Sequence, residues 1–300
     1  MATFTAKDVK ELRDKTGIGM MECKKALTEA DGDINLAIEH LREKGMAAAD
    51  KKAGRVAAEG MVHAITSDNV GAIIEINSET DFVAKNDEFR DFVNECALAV
   101  AKYNPADLDA LMNLTLSNGE TIDANLKDKI LKIGENIKIR RFARLEGVVA
   151  TYNHAGGEIG VLVQFDTDLA GNPEFAGFAK DITLQVAAST PKYLDRSEVD
   201  SDYIEGEKAI FLAQAVNEGK KPEIAERMVT GRINKLYTEV CLLEQPFVKE
   251  DKINVETYTA NKAKELGGNI KIAKFVCFKK GEGLEKRVDD FASEVAGMVK

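Results

Sequence analysis

Val70-Gly-Ala-Ile-Ile-Glu-Ile76 and Ile159-Gly-Val-Leu-Val-Gln-Phe165 are two versions of one apolar run with a glycine in second place. Their surroundings repeat as well. Upstream of the first, Glu59-Gly60 opens a strand and Ser67-Asp68-Asn69 turns the chain; upstream of the second, Glu146-Gly147 and the turn Asn153-His-Ala-Gly-Gly157 do the same. Downstream, Thr80-Asp81 and a helix start near Asn86 correspond to Thr167-Asp168 and Asn172. The helices that follow carry matching stripes, Phe89, Phe92, Val93, Cys96 and Val100 against Phe175, Phe178, Ala179, Ile182 and Val186, at offsets that place each set on one helical face. A hairpin followed by an amphipathic helix, twice over, predicts an α+β core of two related subdomains with antiparallel sheets, each burying one sheet face under a helix.

Outward from this core the patterns are helical. Residues 1–55 read as three short helices. Thr5 and Asp8 have the spacing of a helix start, Val9 and Leu12 share a face, and Gly17 sits at a left-handed cap. A second helix runs from Met20 to Ala30 and stops before Gly32; Asp33 caps a third, with Ile34, Ala37, Ile38 and Leu41 on one side and Gly45 as its end. So small a core leans on the rest of the chain or on a partner. Ala47 to Ala57 is small and charged and suits a linker or short connecting helix. Leu126 to Ile133 reads as an amphipathic helix ending at Gly134. Ser197 to Val240 reads as two helical segments broken by Asn217-Glu-Gly-Lys-Lys-Pro222, an antiparallel hairpin with Pro222 in a first turn. Asn269 to Phe278 predicts a strand, and Phe291, Val295 and Met298 share a face of a last helix. The expected division is 1–55, 56–145, 146–196 joined with 241–280, an inserted hairpin at 197–240, and a C-terminal helical module at 281–300.

Composition narrows the function. Across 300 residues, 41 Lys and Arg against 51 Asp and Glu leave a net charge of −10, which disfavours a nucleic-acid binder that works by clamping phosphates. A hydrophobic fraction of 44% is enough for a packed core and excludes a mainly disordered chain. The N-terminus has no signal-peptide core, and no run approaches the roughly 18 apolar residues of a membrane span. Cys23, Cys96, Cys241 and Cys277 are scattered, unlike a disulfide framework or zinc site, and are expected to be reduced thiols in a cytosol-like compartment.

Enzyme motifs are missing. Gly17-Ile18-Gly19 lacks the third glycine of a dinucleotide loop and reads as a helix–helix turn, and no phosphate loop or Gly-x-Ser-x-Gly elbow occurs. His40, His63 and His154 are too far apart in sequence to suggest a metal site. His40, near the expected end of the third helix, reads as a complement to its dipole; His63 as a packed or solvated strand residue; His154 as an exposed turn residue. No cofactor and no metal are expected.

One segment breaks the local rules. In Thr80-Asp81-Phe82-Val83-Ala84-Lys85-Asn86 an apolar pair lies within a polar connector, where the second repeat has the plainer Thr167-Asp-Leu-Ala-Gly-Asn172. Phe82 is either tucked under its own helix as a staple, which the pattern alone favours, or offered to a partner. Met20 and Met21 raise the same choice, since adjacent residues cannot both face one small core.

Lys10-Glu-Leu-Arg-Asp-Lys-Thr-Gly-Ile-Gly-Met-Met-Glu-Cys-Lys-Lys-Ala-Leu27, then Thr80 to Asn86, Ile133-Gly-Glu-Asn-Ile137 with Arg140-Arg141, Gly160-Val-Leu-Val163, Lys221-Pro-Glu-Ile-Ala-Glu226 and Gln245-Pro-Phe-Val248 together resemble the bacterial translation elongation factor Ts family, in the family's order and along essentially the whole chain. The resemblance implies a cytoplasmic guanine nucleotide exchange factor for the GTPase elongation factor Tu that makes and breaks no covalent bond. It implies a UBA-like N-terminal module, and a helical hairpin that serves dimerisation in some members, hence a possible homodimer. It places Asp81 and Phe82, within the motif Thr80, Asp81, Phe82, Val83, Ala84, Lys85 and Asn86, near the partner's magnesium site. Secondary contacts are implied for Met20, Met21, Cys23, Lys24, Ile133, Gly134 and His154. The alternative from another class is a non-catalytic scaffold or chaperone that docks proteins through its N-terminal helices; direct nucleic-acid or membrane binding is not expected.

Overall fold

The computed structural model describes residues 4–285. Three helices come first: α1 (Ala6–Thr16), α2 (Met20–Glu29) and α3 (Ile34–Lys52). Thr5 and Asp8 form a reciprocal capping box, Gly17 ends α1 at φ 67°, and the Asp33 carboxylate accepts from Asn35 and Leu36 N–H. Leu12, Cys23, Ala26, Leu27, Ala37 and Leu41 form their core.

The third helix does not stop at Gly45. It runs on to Lys52 through Met46-Ala-Ala-Ala49, strong helix formers, so most of the expected linker is helix. Gly45 packs against the helix Ile122–Ile133, where a Cβ would lie at an ordinary contact distance of 3.6 Å from the Lys127 carbonyl oxygen. Arg42 pairs with Glu120, Lys52 donates to the Ile130 carbonyl at 3.2 Å, and Leu131 joins the three-helix core. The small bundle thus borrows apolar and polar contacts from the next unit, as its size requires.

The first sheet contains β1 (Glu59–Ser67) and β2 (Val70–Ser78). Its cover is α4 (Asp87–Tyr103), followed by α5 (Leu108–Met112) and α6 (Ile122–Ile133), and the chain returns as β3 (Lys138–Glu146) beside β2. The second sheet contains β4 (Val148–His154) and β5 (Ile159–Thr167) under α7 (Pro173–Ser189). The antiparallel hairpin of α8 (Ser201–Asn217) and α9 (Pro222–Val240) is inserted next. A short pair, β6 (Pro246–Phe247) with β7 (Glu250–Asn254), and α10 (Val255–Leu266) lead to β8 (Ile270–Lys279), the third strand beside β5. Both three-stranded sheets are antiparallel. Each expected hairpin is therefore one strand short of the sheet that forms. In β3 the arginines at 140, 141 and 144 hide the strand from an apolar pattern, and its neighbour β2 lies 60 or more residues upstream.

The repeat extends to fine detail. β2 slips register against β3 between Glu75 and Ile76, and β5 slips against β8 between Gln164 and Phe165, the same place in the two runs. The shared glycine is explained by sheet packing. A Cβ on Gly71 would meet Leu162 Cδ1 at 2.2 Å, and one on Gly160 would meet Val62 Cγ1 at 2.5 Å. The sheets therefore lie face to face, with Val62, Ala64, Ile73, Leu145 and Leu162 between them. Ala72, Ile74 and Ile76 point the other way, into the core under α4. Burial on both faces is why these strands read as continuous rather than alternating apolar runs.

The segment after β8 ties the sheets together. Glu75 is wholly buried and accepts from Arg140 Nη1 at 3.0 Å, Arg141 Nε at 2.6 Å, Asn77 Nδ2 at 3.1 Å and the Gly281 N–H at 2.8 Å. Burial pushes its carboxyl up, but the Gly281 N–H, the Asn77 amide and the Arg141 guanidinium outweigh that and hold it below the ordinary carboxylate range. Lys280 lies between Glu59 and Glu158, 2.6 Å from each. The expected last helix, with Phe291, Val295 and Met298, lies outside the described residues.

Among the described residues no helix is long and apolar enough to cross a membrane.

Candidate functional site

The connector between β2 and α4 is held at both ends. On its N-terminal side, Ser78 Oγ donates to the Thr80 carbonyl at 2.9 Å, while the Thr80 N–H and Oγ1 donate to the two Glu135 carboxylate oxygens at 2.9 and 2.7 Å. On its C-terminal side, Val83 is buried in the core under α4, and Asn86 Oδ1 caps that helix by accepting from the Phe89 N–H at 3.2 Å. Between these anchors the chain makes a single 3-10 turn, Val83–Lys85.

Phe82 stands at the crest with 75% of its surface exposed. This corrects the reading that tucks Phe82 under its helix. Val83 is the tucked residue, and with Val83 turned inward, the preceding side chain on so tight a turn is left facing outward. Asp81 and Lys85, one helical turn apart and both exposed, pair at 2.8 Å, and the hydrogen bond from Lys85 holds the Asp81 carboxyl below its ordinary value. The Lys85 ammonium also lies 5.4 Å from the Phe82 ring centre, within cation–π range. An aromatic ring thus projects with a charge pair at its base. Ala84 is half-buried beside it.

Three other segments carry the remaining residues singled out by sequence. Gly134 ends α6 at φ 84° and is exposed, with half-buried Ile133 before it and Glu135 after it, so this loop lies directly against Thr80. The α1–α2 turn is next: the Lys132 side chain abuts Gly17. Met20 and Met21, 53% and 66% exposed, open α2 beyond that turn, with Lys24 also exposed. Cys23 does not share that surface. It is fully buried, its thiol donates to the Ile18 carbonyl at 3.3 Å, and burial pushes its pKa up. Cys23 shares a face of α2 with Ala26 and Leu27, three and four residues on, and the three-helix core buries that face, which corrects its assignment as a contact residue.

His154 is exposed on the β4–β5 turn, its Nδ1 3.0 Å from the Tyr152 hydroxyl. The turn is fixed to β1 by Asn153, which bonds both the N–H and the carbonyl of Ala64 at 2.8 Å, and by the Val62 N–H donating to the Gly157 carbonyl at 2.8 Å. The 3-10 turn after Phe82 also packs on β1, so one strand supports both outward-facing features. His63 on that strand is partly buried, 3.3 Å from Asn94 Oδ1, and burial lowers its pKa. His40 lies in the middle of α3, which extends twelve residues past it, so it does not face the helix C-terminus as expected. No group of three or more His, Cys, Asp or Glu able to hold a metal occurs among the described residues.

Two residues that order this site escaped the sequence reading. Glu135 lay inside the quoted Ile133 to Ile137 motif, and Glu79 immediately precedes Thr80, but a carboxylate with unknown partners carries no signal until the loops 55 residues apart are brought together.

The family model described as "Elongation factor TS" matches residues 79–282, from the start of the Phe82 connector to the strap after β8. Proteins named elongation factor Ts are similar over the full chain. That of Clostridioides difficile (strain 630) is 48% identical over 304 residues, covering 100% of both chains. That of Clostridium perfringens (strain SM101 / Type A) is 49% identical over 300 residues, covering 98% of this chain and 99% of its own. That of Symbiobacterium thermophilum is 48% identical over 304 residues, with 98% of each chain covered. With its loop geometry, its repeated core and these matches end to end, the chain belongs to the elongation factor Ts family.

Proposed function

We propose that this protein is a guanine nucleotide exchange factor for elongation factor Tu in translation elongation, and that it speeds GDP release by inserting the Phe82 ring near the partner's magnesium and phosphate site. The observation that carries this reading is the 75% exposure of Phe82 on a connector anchored at Thr80, Val83 and Asn86. A free aromatic ring is costly to leave in water and gives large, rigid contact area when covered.

The mechanism needs no covalent chemistry. A GTPase holds its nucleotide through a phosphate cradle and a magnesium ion bridging phosphate oxygens to protein, so a wedge that shifts the supporting elements weakens many contacts together. Asp81 is engaged by Lys85, which suits a role in bracing the ring rather than in taking the metal. Met20, Met21, Lys24, Ile133, Gly134 and His154 offer the wider surface that holds the partner while the ring acts. The coupling is reciprocal: the factor by which this protein weakens GDP binding is the factor by which GDP weakens its own binding. GTP rebinding then releases it.

The hairpin of α8 and α9 is assigned to self-association. Its support is the exposure of Ile210, Leu212, Val216 and Ile224 along it. As a translation factor the protein works in the cytoplasm.

The direct test loads elongation factor Tu with a fluorescent GDP and mixes it with this protein and excess unlabelled GDP. Accelerated release that saturates with protein concentration is the expected result. A rate equal to spontaneous release would reject the proposal.

A further inference from the structure

Glu79 and Glu135 cross between two loops. Glu79, on the connector after β2, is only 14% exposed at its side chain and accepts from the Asn136 N–H at 2.6 Å. Glu135, on the loop after α6, accepts from the Thr80 N–H and hydroxyl. Each loop thus offers a carboxylate to the other's backbone. Asn136 is buried and extends the tie by donating from Nδ2 to the Arg55 carbonyl at 2.8 Å, and Arg55 reaches Glu79 at 3.3 Å. Gly134, in the left-handed conformation at φ 84°, turns the chain so that the residue after it meets Thr80. Bonds from N–H and hydroxyl donors to a carboxylate are stronger and more directional than neutral ones.

We propose that Glu135 is a positioning residue for exchange: by gripping Thr80 two residues before the ring, it fixes the direction in which Phe82 projects. This rests on the exchange reading above. Both carboxylate oxygens are committed to Thr80, so Glu135 acts through the connector. The C-terminal side is held independently by Val83 and Asn86. Losing Glu135 therefore leaves Thr80 held by the Ser78 hydroxyl alone, with the N-terminal end of the connector loosened and a ring that is present but poorly aimed. A misaimed wedge lowers the rate within the complex, whereas affinity is spread over the wider surface.

The test is a double-mutant cycle in the fluorescent GDP release assay, using full-length protein and recording both the rate at saturation and the half-saturating concentration. Glu135→Ala is expected to reduce the saturated rate about tenfold, the size of one charge-assisted hydrogen bond, with less than about a threefold change in half-saturation. Thr80→Val, which removes only the hydroxyl donor, is expected to cost about threefold and serves as the test if Glu135→Ala does not fold. In a Phe82→Ala background the Glu135 effect should vanish, because nothing remains to aim. Retention of the tenfold loss in that background would overturn the positioning role, as would a normal saturated rate for Glu135→Ala when Phe82→Ala is slow. A normal rate for Phe82→Ala itself would instead remove the wedge reading beneath it.

Discussion

Phe82→Ala tests the wedge most directly, and its size follows from exposure. A phenylalanine presents roughly 200 Å², and with 75% of Phe82 open to solvent, about 150 Å² remains for a partner to cover. At about 25 cal/mol per Å² this is just under 4 kcal/mol of gross apolar stabilisation, and truncation of such anchors commonly costs about 2 kcal/mol or more. The expected loss in the second-order constant for GDP release is therefore between about 30-fold and several hundred-fold. The fold should scarcely notice, because only about 50 Å² of the ring is covered in the free protein, worth about 1 kcal/mol. Stopped-flow release of fluorescent GDP gives the first quantity and a thermal melt the second. A rate within about twofold of the parent, with the melt unchanged, would refute the reasoning. A slowed rate accompanied by a large fall in melting temperature would also count against it, since the ring would then be part of a core.

Other expectations follow from other parts of the fold. His154→Ala should weaken partner binding while costing about 1 kcal/mol of stability or less, because among the described residues only Tyr152 holds the ring; titration calorimetry and a melt separate the two. Glu75→Gln should destabilise the protein by about 3 kcal/mol, since Arg140 and Arg141 lose a buried partner. Glu75 is held below its ordinary value of 4.5, so its contribution is present in full above that pH and is lost as pH falls through the lowered value. The acid limb of the parent's stability curve should thus be steeper than the variant's, and parallel limbs in denaturant titrations from pH 7 to pH 3 would contradict this. Gly45→Ala should stabilise by about 1 kcal/mol, because the added methyl meets Lys127 and Leu131 only at ordinary contact distances of 3.6 and 3.8 Å. Gly45→Leu has no such space and should lower the melting temperature.

Much of the architecture was already written in local patterns. The repeated runs at 70–76 and 159–165, the stripes from Phe89 and Phe175, the caps at Thr5, Asp33 and Asn86 and the break before Pro222 all depend on neighbours within a turn or two, and periodicity reports such neighbours directly. What only the folded chain decided involved partners far apart. Gly45 read as a helix end because the helix α6 that it packs against lies more than eighty residues away. β3 stayed hidden because Arg140 and Arg141 face Glu75 and the strap after β8, and Arg144 reaches the Ala101 carbonyl and Glu146. Cys23 moved from surface to core through its position on the helix. The Phe82 connector drew attention by its composition, but composition could not say which of two adjacent apolar residues turns inward. That choice was made by the packed core under α4, which takes Val83, and by Glu135, which grips Thr80 from a loop that only tertiary packing brings within reach.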